Sequence, residues 1–256
     1  MSCPKEMACD TEHGGYFEVL GRDGGPVVTA EPHDAVGTPY GLKSANTLVH
    51  LLEAMTALHA VWPAPAVRRA LAELTDQVCG RIYLRRDCLP PVFTRDWTPV
   101  SQAISFGHDI EVAYLLVAAA EQLGPGDVAR LLPVARRLVD RAIARGHDRR
   151  RGGLFYGRSG RLRRVDRTKT WWVQAEALAA LKLMHDRFGA QTPDYSRRLR
   201  ETWAFVREVQ LDHVNGGWHP HVDRRGRPRP GPKSDSWTDP YHQARALMRL
   251  ADASGA

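Results

Sequence analysis

Apolar residues recur every three or four positions in seven segments of the chain, which is the period of a helix with one buried face. The predicted helices cover residues 43–61, 65–84, 106–123, 126–145, 170–187, 194–211 and 239–253. Ser44 is suited to cap the first helix, and Asp239 followed by Pro240 marks the start of the last. The pattern therefore predicts an all-α chain with short connectors.

Three of the connectors share one glycine-rich pattern. Each has Gly-Gly, an apolar or aromatic residue, a short extended run and a further glycine turn, which predicts a small β-hairpin. These connectors are residues 13–27, 151–165 and 215–229, and a degenerate fourth copy is predicted at 81–105. A lysine follows each of the three, just before a helix begins: Lys43, Lys169 and Lys233.

The helices after these connectors carry polar residues at matching positions. His50, His108, Gln174 and His242 are separated by 58, 66 and 68 residues, which is the length of one helical hairpin plus its connector. This repeat predicts a toroid of helical hairpins, an α/α barrel whose inner helices follow the Gly-Gly connectors. A generic helical bundle is the alternative, but it does not explain why the histidines recur.

Composition and charge exclude several classes of protein. The 256 residues include 43% hydrophobic and 25% charged residues, as in soluble globular proteins. No apolar run is long enough to span a membrane and no secretory leader is visible, so we expect a cytoplasmic protein without a membrane partner. The net charge of +7 comes from scattered arginines without a nucleic-acid motif, so we expect no nucleic-acid partner.

The cysteines do not form a metal or disulfide pattern. Cys3, Cys9, Cys79 and Cys88 have neither CxxC spacing nor the density of a disulfide framework, so reduced thiols are expected. No HExxH or CxxC spacing accompanies the repeated histidines, and we expect no metal site.

Repeated histidines suit a particular chemistry. An imidazole titrates near neutral pH and can transfer a proton to and from a carbon beside a carbonyl group. A glycosidase would instead need a pair of carboxylates. Glu111 lies on the same helix face as His108, and nearby tryptophans suit the flat C–H face of a sugar.

Four segments carry a family resemblance: NTLVHLLEA at 46–54, SFGHDIE at 105–111, KTWWVQAEA at 169–177 and SWTDPYHQARA at 236–246. They resemble the N-acylglucosamine 2-epimerase superfamily, and its cellobiose 2-epimerase branch most. The resemblance implies an (α/α)6 barrel that inverts C2 of a reducing mono- or disaccharide without a metal or other cofactor.

The resemblance also implies roles for individual residues. His108 and His242 match the acid/base pair that acts at C2, and Glu111 is expected to orient His108. His50 and Asn46 match residues that bind the sugar near O1 and O2. The aromatic residues that match sugar contacts are Trp172, Trp218 and Trp237. Arg245 lies within the last motif, but the resemblance gives it no role.

The sequence departs from the family pattern at several points. Leu48 replaces a histidine that is common in the family, and Arg158 stands where an acidic residue is common after the Gly-Gly-Leu-Phe run of the second connector. The second change puts contacts to a second sugar ring in doubt. His219-Pro220-His221 replaces a more apolar run.

Seven predicted helices are fewer than the twelve of an (α/α)6 barrel. Residues 1–256 are therefore expected to form a single but incomplete barrel domain, lacking the first five helices and the active-site arginine that they supply in the family. We expect residues 1–12 to be disordered and the open barrel edge to allow self-association.

Three functions follow as hypotheses. The first is a cellobiose 2-epimerase-like epimerase. The second is an inactive remnant that binds sugars or forms oligomers. The third is an aldose–ketose isomerase of the mannose isomerase type, or an N-acylglucosamine 2-epimerase.

Overall fold

The computed structural model describes residues 8–27, 38–83, 89–100, 103–159, 164–235 and 238–251, and this part of the chain is mainly helical. It contains seven α-helices: α1 (Ala45–Val61), α2 (Pro65–Gln77), α3 (Phe106–Leu123), α4 (Pro125–Gly146), α5 (Trp171–Phe188), α6 (Pro193–Phe205) and α7 (Tyr241–Ala251). Each matches one predicted segment, which confirms the all-α fold class. Helices α2 and α6 each continue into a π-helical turn, Val78–Ile82 and Val206–Gln210.

Eight strands of two residues each lie in the described connectors. They are β1 (Lys43–Ser44), β2 (Val92–Phe93), β3 (Ile104–Ser105), β4 (Gly157–Arg158), β5 (Val165–Asp166), β6 (Lys169–Thr170), β7 (His221–Val222) and β8 (Pro228–Arg229). The sheet orders are β1-β2, β3-β4-β5 and β6-β7-β8. The antiparallel pairs β4-β5 and β7-β8 are the hairpins predicted for the second and third glycine-rich connectors.

The helices differ in how much of their surface is buried. Helix α5, which follows a Gly-Gly connector, buries eleven of its residues, including Trp171, Gln174 and Glu176, and it packs against α6 and α7. Helix α6 instead carries exposed arginines along one side, as an outer helix would. This difference agrees with the predicted alternation of inner and outer helices.

The described chain divides into two compact units. One consists of residues 1–104 and 115–131, and the other of residues 105–114 and 132–256. Helix α3 therefore begins in the second unit and continues into the first. The expectation of a single domain stays a prediction.

A buried ion pair organises the second glycine-rich connector. Lys169 Nζ donates to Asp148 Oδ2 at 2.9 Å and to the carbonyl oxygen of Gly152 at 2.6 Å. Gly152 and Gly153 have φ angles of +70° and +75°, which glycine adopts without strain. Burial lowers the pKa of Lys169, although the Asp148 carboxylate opposes that effect. Burial would raise the pKa of Asp148, but the hydrogen bond from Lys169 and the charge of Lys169 hold it below its usual range.

The same arrangement recurs in the other two connectors. Lys43 donates to Asp10 and Lys233 donates to Asp212, and each lysine also reaches the first glycine of its Gly-Gly pair. The pattern Asp-x-x-x-Gly-Gly at 10–15, 148–153 and 212–217 therefore explains why a lysine follows each of these three connectors. The three lysines differ in exposure: the side chains of Lys43 and Lys169 are 1% exposed, whereas that of Lys233 is 33% exposed.

Two further expectations concern the ends of the chain and the membrane. Residues 1–12 were expected to be disordered. Of these, residues 1–7 lie outside the described residues, and Asp10 is buried. In the part of the chain that the structure describes, no helix has the length and apolar character needed to cross a membrane.

Candidate active site

Candidate catalytic side chains lie at the starts of three helices in the second unit. His108 is the third residue of α3, and its backbone N–H donates to Ser105 Oγ at 3.2 Å, as at a capped helix start. Trp172 is the second residue of α5, and its ring centroid lies 5.0 Å from that of His108. His242 is the second residue of α7 and follows Asp239, whose Oδ1 accepts from the N–H of Tyr241.

The indole of Trp172 contacts both histidines. Its ring centroid lies 5.8 Å from that of His242, in addition to the 5.0 Å contact with His108. Tyr156 packs edge-on against the same indole at 6.3 Å. The structure thus brings together three predicted site residues from three helices, around one aromatic ring.

Glu176 connects His242 to Arg245. Glu176 Oε1 lies 2.7 Å from His242 Nδ1 and 2.6 Å from Arg245 Nη2. The Glu176 side chain is 1% exposed and that of His242 is 16% exposed. Because an ionised carboxylate can only accept, this contact places the proton of a neutral His242 on Nδ1 and leaves the lone pair on Nε2.

Arg245 gathers the other polar groups of the site. Its Nη2 also lies 3.4 Å from Glu111 Oε1, and its Nη1 donates to the hydroxyl of Tyr241 at 2.7 Å. Arg245 had no role in the sequence analysis, but the structure places it between two buried carboxylates. Glu111 was expected to orient His108, and here its carboxylate contacts the guanidinium.

Three of these groups have the spacing of metal ligands. One donor atom each from Glu111, Glu176 and His242 lies within 4.8 Å of the others. The guanidinium of Arg245 contacts both carboxylates and supplies a positive charge beside them. The arrangement has the donor types for a metal, but the arginine already satisfies much of their charge.

Asn46, His50 and Trp218, which are also predicted site residues, belong to other elements of the chain. Asn46 and His50 are on α1 in the first unit, where His50 Nδ1 lies 3.5 Å from Glu53 Oε2. Trp218, in the third connector, is 7% exposed, and its backbone forms an isolated antiparallel β-bridge with Leu211. Trp237 lies outside the described residues.

Sequence reasoning left Glu176 without a role. The sequence feature that points to Glu176 is its position four residues after Trp172, which puts both residues on one face of α5. Gln174, which marked the repeat between the histidines, has a structural role instead. Its amide donates to the carbonyl of Leu154 and accepts from the N–H of the same residue.

The fold and the site together define a helical-hairpin protein with histidines, carboxylates and an arginine near the starts of three helices. A family model described as N-acylglucosamine 2-epimerase (GlcNAc 2-epimerase) matches residues 26–246. The chain therefore belongs to this family, as the sequence motifs indicated.

Individual relatives agree with this assignment. A cellobiose 2-epimerase of Bacteroides fragilis is 29% identical over 92% of this chain and 59% of its own length. A D-mannose isomerase of Thermobifida fusca is also 29% identical, over 81% of this chain and 54% of its own length. The structure of cellobiose 2-epimerase from Spirochaeta thermophila superposes with a TM-score of 0.82 and 29% identity, over 96% of this chain and 60% of that one. The superposition confirms a fold of the (α/α)6-barrel type, and the chain spans little more than half the length of these relatives.

Proposed function

We propose that this chain carries the proton-transfer site of a carbohydrate 2-epimerase similar to cellobiose 2-epimerase. The observation that carries the proposal is the placement of His108 and His242 against the same indole, with Glu176 hydrogen-bonded to His242. Two imidazoles beside one flat aromatic surface suit a sugar whose C–H face stacks on Trp172.

The proposed reaction acts on the ring-opened sugar. One histidine takes the proton from C2, and the C–H electron pair forms a C1–C2 double bond while the C1 carbonyl oxygen becomes the enediolate oxygen. The other histidine then returns a proton to the opposite face of C2, and the C1 carbonyl re-forms. The direction of the reversible reaction decides which histidine acts as the base.

The residues around His242 support this role. Glu176 holds the Nδ1 proton, so that Nε2 can accept a proton, and the buried carboxylate stabilises the imidazolium that forms. Arg245 neutralises part of the charge of Glu176 and Glu111. Asn46, His50, Trp218 and Trp237 remain proposed sugar-binding residues on the strength of the family resemblance.

An aldose–ketose isomerase is the second candidate, because a D-mannose isomerase is 29% identical to this chain over 81% of its length. The two reactions share the enediolate and differ in where the proton returns. Return to C2 gives the epimer, and return to C1 gives the ketose.

The test is proton exchange in D2O. We expect incubation of the chain with cellobiose to place deuterium at C2, seen by proton NMR, and His108→Ala or His242→Ala to abolish it. His213→Ala is the matched control, because His213 is exposed and the Arg207 carbonyl is its one side-chain hydrogen-bond partner among the described residues. Absence of exchange with cellobiose, glucose, mannose and N-acetylglucosamine would favour a non-catalytic sugar-binding or self-associating module, which calorimetry and size-exclusion chromatography would detect.

A further inference from the structure

A strongly basic groove lies between the hairpins β4-β5 and β7-β8 of the second unit. Its volume is about 860 Å³, which is within the size range of small-molecule sites. Half of the residues that line it are arginines: Arg164, Arg167, Arg224, Arg225 and Arg229. The two acidic residues that line it leave a net charge of +3 on its walls.

The acidic residues of the groove are hydrogen-bonded to the backbone of their own turns. Asp166 Oδ1 accepts from the N–H of Thr168, and Asp223 Oδ1 accepts from the N–H groups of Arg225 and Arg227. Among the described residues, no carboxylate forms a salt bridge with any of the five guanidinium groups. These groups are therefore available for an anionic ligand, and guanidinium pairs well with phosphate, sulfate and carboxylate.

The pKa shifts of two residues also indicate a positive electrostatic potential in this region. The backbone N–H of Arg227 and the charges of Arg227 and Arg229 hold the pKa of Asp223 below its usual range. Burial lowers the pKa of His221, and the charge of Arg229 lowers it further.

The β4-β5 hairpin adds another cation to this region. Arg158 pairs with Val165, which lines the groove, so both side chains lie on one face of the hairpin. The Nε atom of Arg158 is buried and has no hydrogen-bond partner among the described residues. This is the position where the family resemblance led us to expect an acidic residue.

A short chain of contacts joins the groove to the candidate active site. The N–H of Tyr156 donates to the carbonyl of Thr168, a lining residue, at 2.8 Å. The ring of Tyr156 packs edge-on against Trp172, which contacts both site histidines. Tyr156 therefore links a lining residue of the groove to the indole of the proposed sugar-stacking surface.

We propose that this groove binds the anionic end of the substrate, which would make the substrate a reducing saccharide with a phosphate, sulfate or carboxylate group remote from its reducing carbon. The inference rests on the proposed function, since it assigns the far end of that same substrate. A nucleic acid fits less well, because no aromatic side chain lines the groove to stack on bases.

Calorimetric titration of the chain tests the proposal with matched sugars. The probes are cellobiose 6′-phosphate, with its phosphate on the non-reducing glucose, the corresponding β-1,4-linked glucuronosyl-glucose, and neutral cellobiose. We expect the phosphate-bearing sugar to bind about tenfold more tightly than cellobiose at low salt, with the ratio falling towards one in about 0.5 M NaCl. Comparison of the phosphate and carboxylate sugars identifies which anion the groove prefers.

The double variant Arg224→Ala/Arg225→Ala should remove most of this preference. Arg207→Ala is the control, because Arg207 is 60% exposed and pairs with Glu208 outside the groove; it should keep the ratio of affinities. Thermal unfolding of each variant verifies that it is folded. Equal affinity for charged and neutral sugars, or a preference that survives in the double variant, would overturn the inference.

The same experiment separates this inference from the proposed function. Exchange of deuterium into neutral cellobiose without any preference for the charged sugar leaves the epimerase proposal standing and rejects the anionic substrate. Tight, arginine-dependent binding of the charged sugar without exchange at its C2 rejects the epimerase proposal, and with it the substrate assignment of the groove.

Discussion

Oε1 of Glu176 lies 2.7 Å from Nδ1 of His242, and these residues come from helices α5 and α7. The carboxylate is buried, so it interacts with the imidazole at a lower dielectric than on the surface. Arg245 donates to the same oxygen, which limits how far the carboxylate can move. The contact fixes both the tautomer and the orientation of His242.

Glu176→Gln should therefore slow proton transfer more than it weakens sugar binding. The amide is neutral and no longer stabilises an imidazolium, so we expect the rate of C2 deuterium exchange to fall about a hundredfold or more, with a smaller change in KM. Nitrogen-15 NMR should also show that His242 loses its preference for the Nδ1–H tautomer. Glu208→Gln, at an exposed surface position, is the control. An unchanged rate and tautomer in Glu176→Gln would show that the contact has no catalytic role.

The sequence predicted the helices well because apolar residues recur every three or four positions in each of them, which is the helical period. It also predicted that His108 and His242 would come together, since equivalent positions of a repeat share one location. The pairing of Glu176 with Arg245 could not be predicted in this way. Those residues lie 69 positions apart on different helices. Periodicity shows which residues share one face of a helix, but not which side chains of two packed helices contact each other.

The lysine that follows each glycine-rich connector was visible in the sequence, but its structural role was not. The Asp148–Lys169 pair depends on two positive φ angles that turn the chain back on itself. Sequence reasoning noticed the glycines and the lysine, and missed the aspartate four residues before the first glycine. The aspartate stands four residues before the first glycine in all three connectors, and that constant offset is its sequence signal.

Lys169→Met should destabilise the protein far more than Lys233→Met. Removal of the Lys169 ammonium leaves the Asp148 carboxylate in a buried site without its partner, and breaking a buried ion pair in this way costs about 3–5 kcal/mol. Lys233 makes the same two contacts, but its side chain is one-third exposed, so water can replace it. Urea unfolding of the two variants measures the difference. Similar losses from both would mean that burial does not set the strength of this pair.

Acid should destabilise the protein through His147. Burial, together with the charges of Arg198 and Lys169, lowers the pKa of His147 to about 4, despite the opposing charges of Asp148 and Asp194. The folded state therefore holds this imidazole neutral, and its contribution to stability is present above the ordinary pKa of about 6.5.

That contribution is lost as the pH falls from about 6.5 to 4, because the unfolded chain binds the proton first. The expected loss is about 3 kcal/mol by pH 4. Urea unfolding at several pH values checks this, with His147→Gln as the comparison because glutamine does not titrate. The wild type should lose more stability than the variant over this range, and parallel pH profiles would contradict the assignment to His147.

Gly107 is predicted to be essential for placing Trp172 beside His108. A Cβ atom at Gly107 would lie 2.5 Å from Trp172 Cη2 and 2.7 Å from Val173 Cγ2, closer than van der Waals contact allows. Gly107→Ala should therefore push α3 and α5 apart or displace the indole, at a cost of about 1–3 kcal/mol. The near-ultraviolet circular dichroism of the tryptophans should change as well.

Gly126→Ala is the matched control, because Gly126 lies in the first turn of α4 with open space around it. That substitution should leave the protein as stable or stabilise it by about 0.5 kcal/mol, since alanine has less freedom in the unfolded chain. If Gly107→Ala behaves like Gly126→Ala, then the close approach of the two helices is not what holds Trp172 against the histidines.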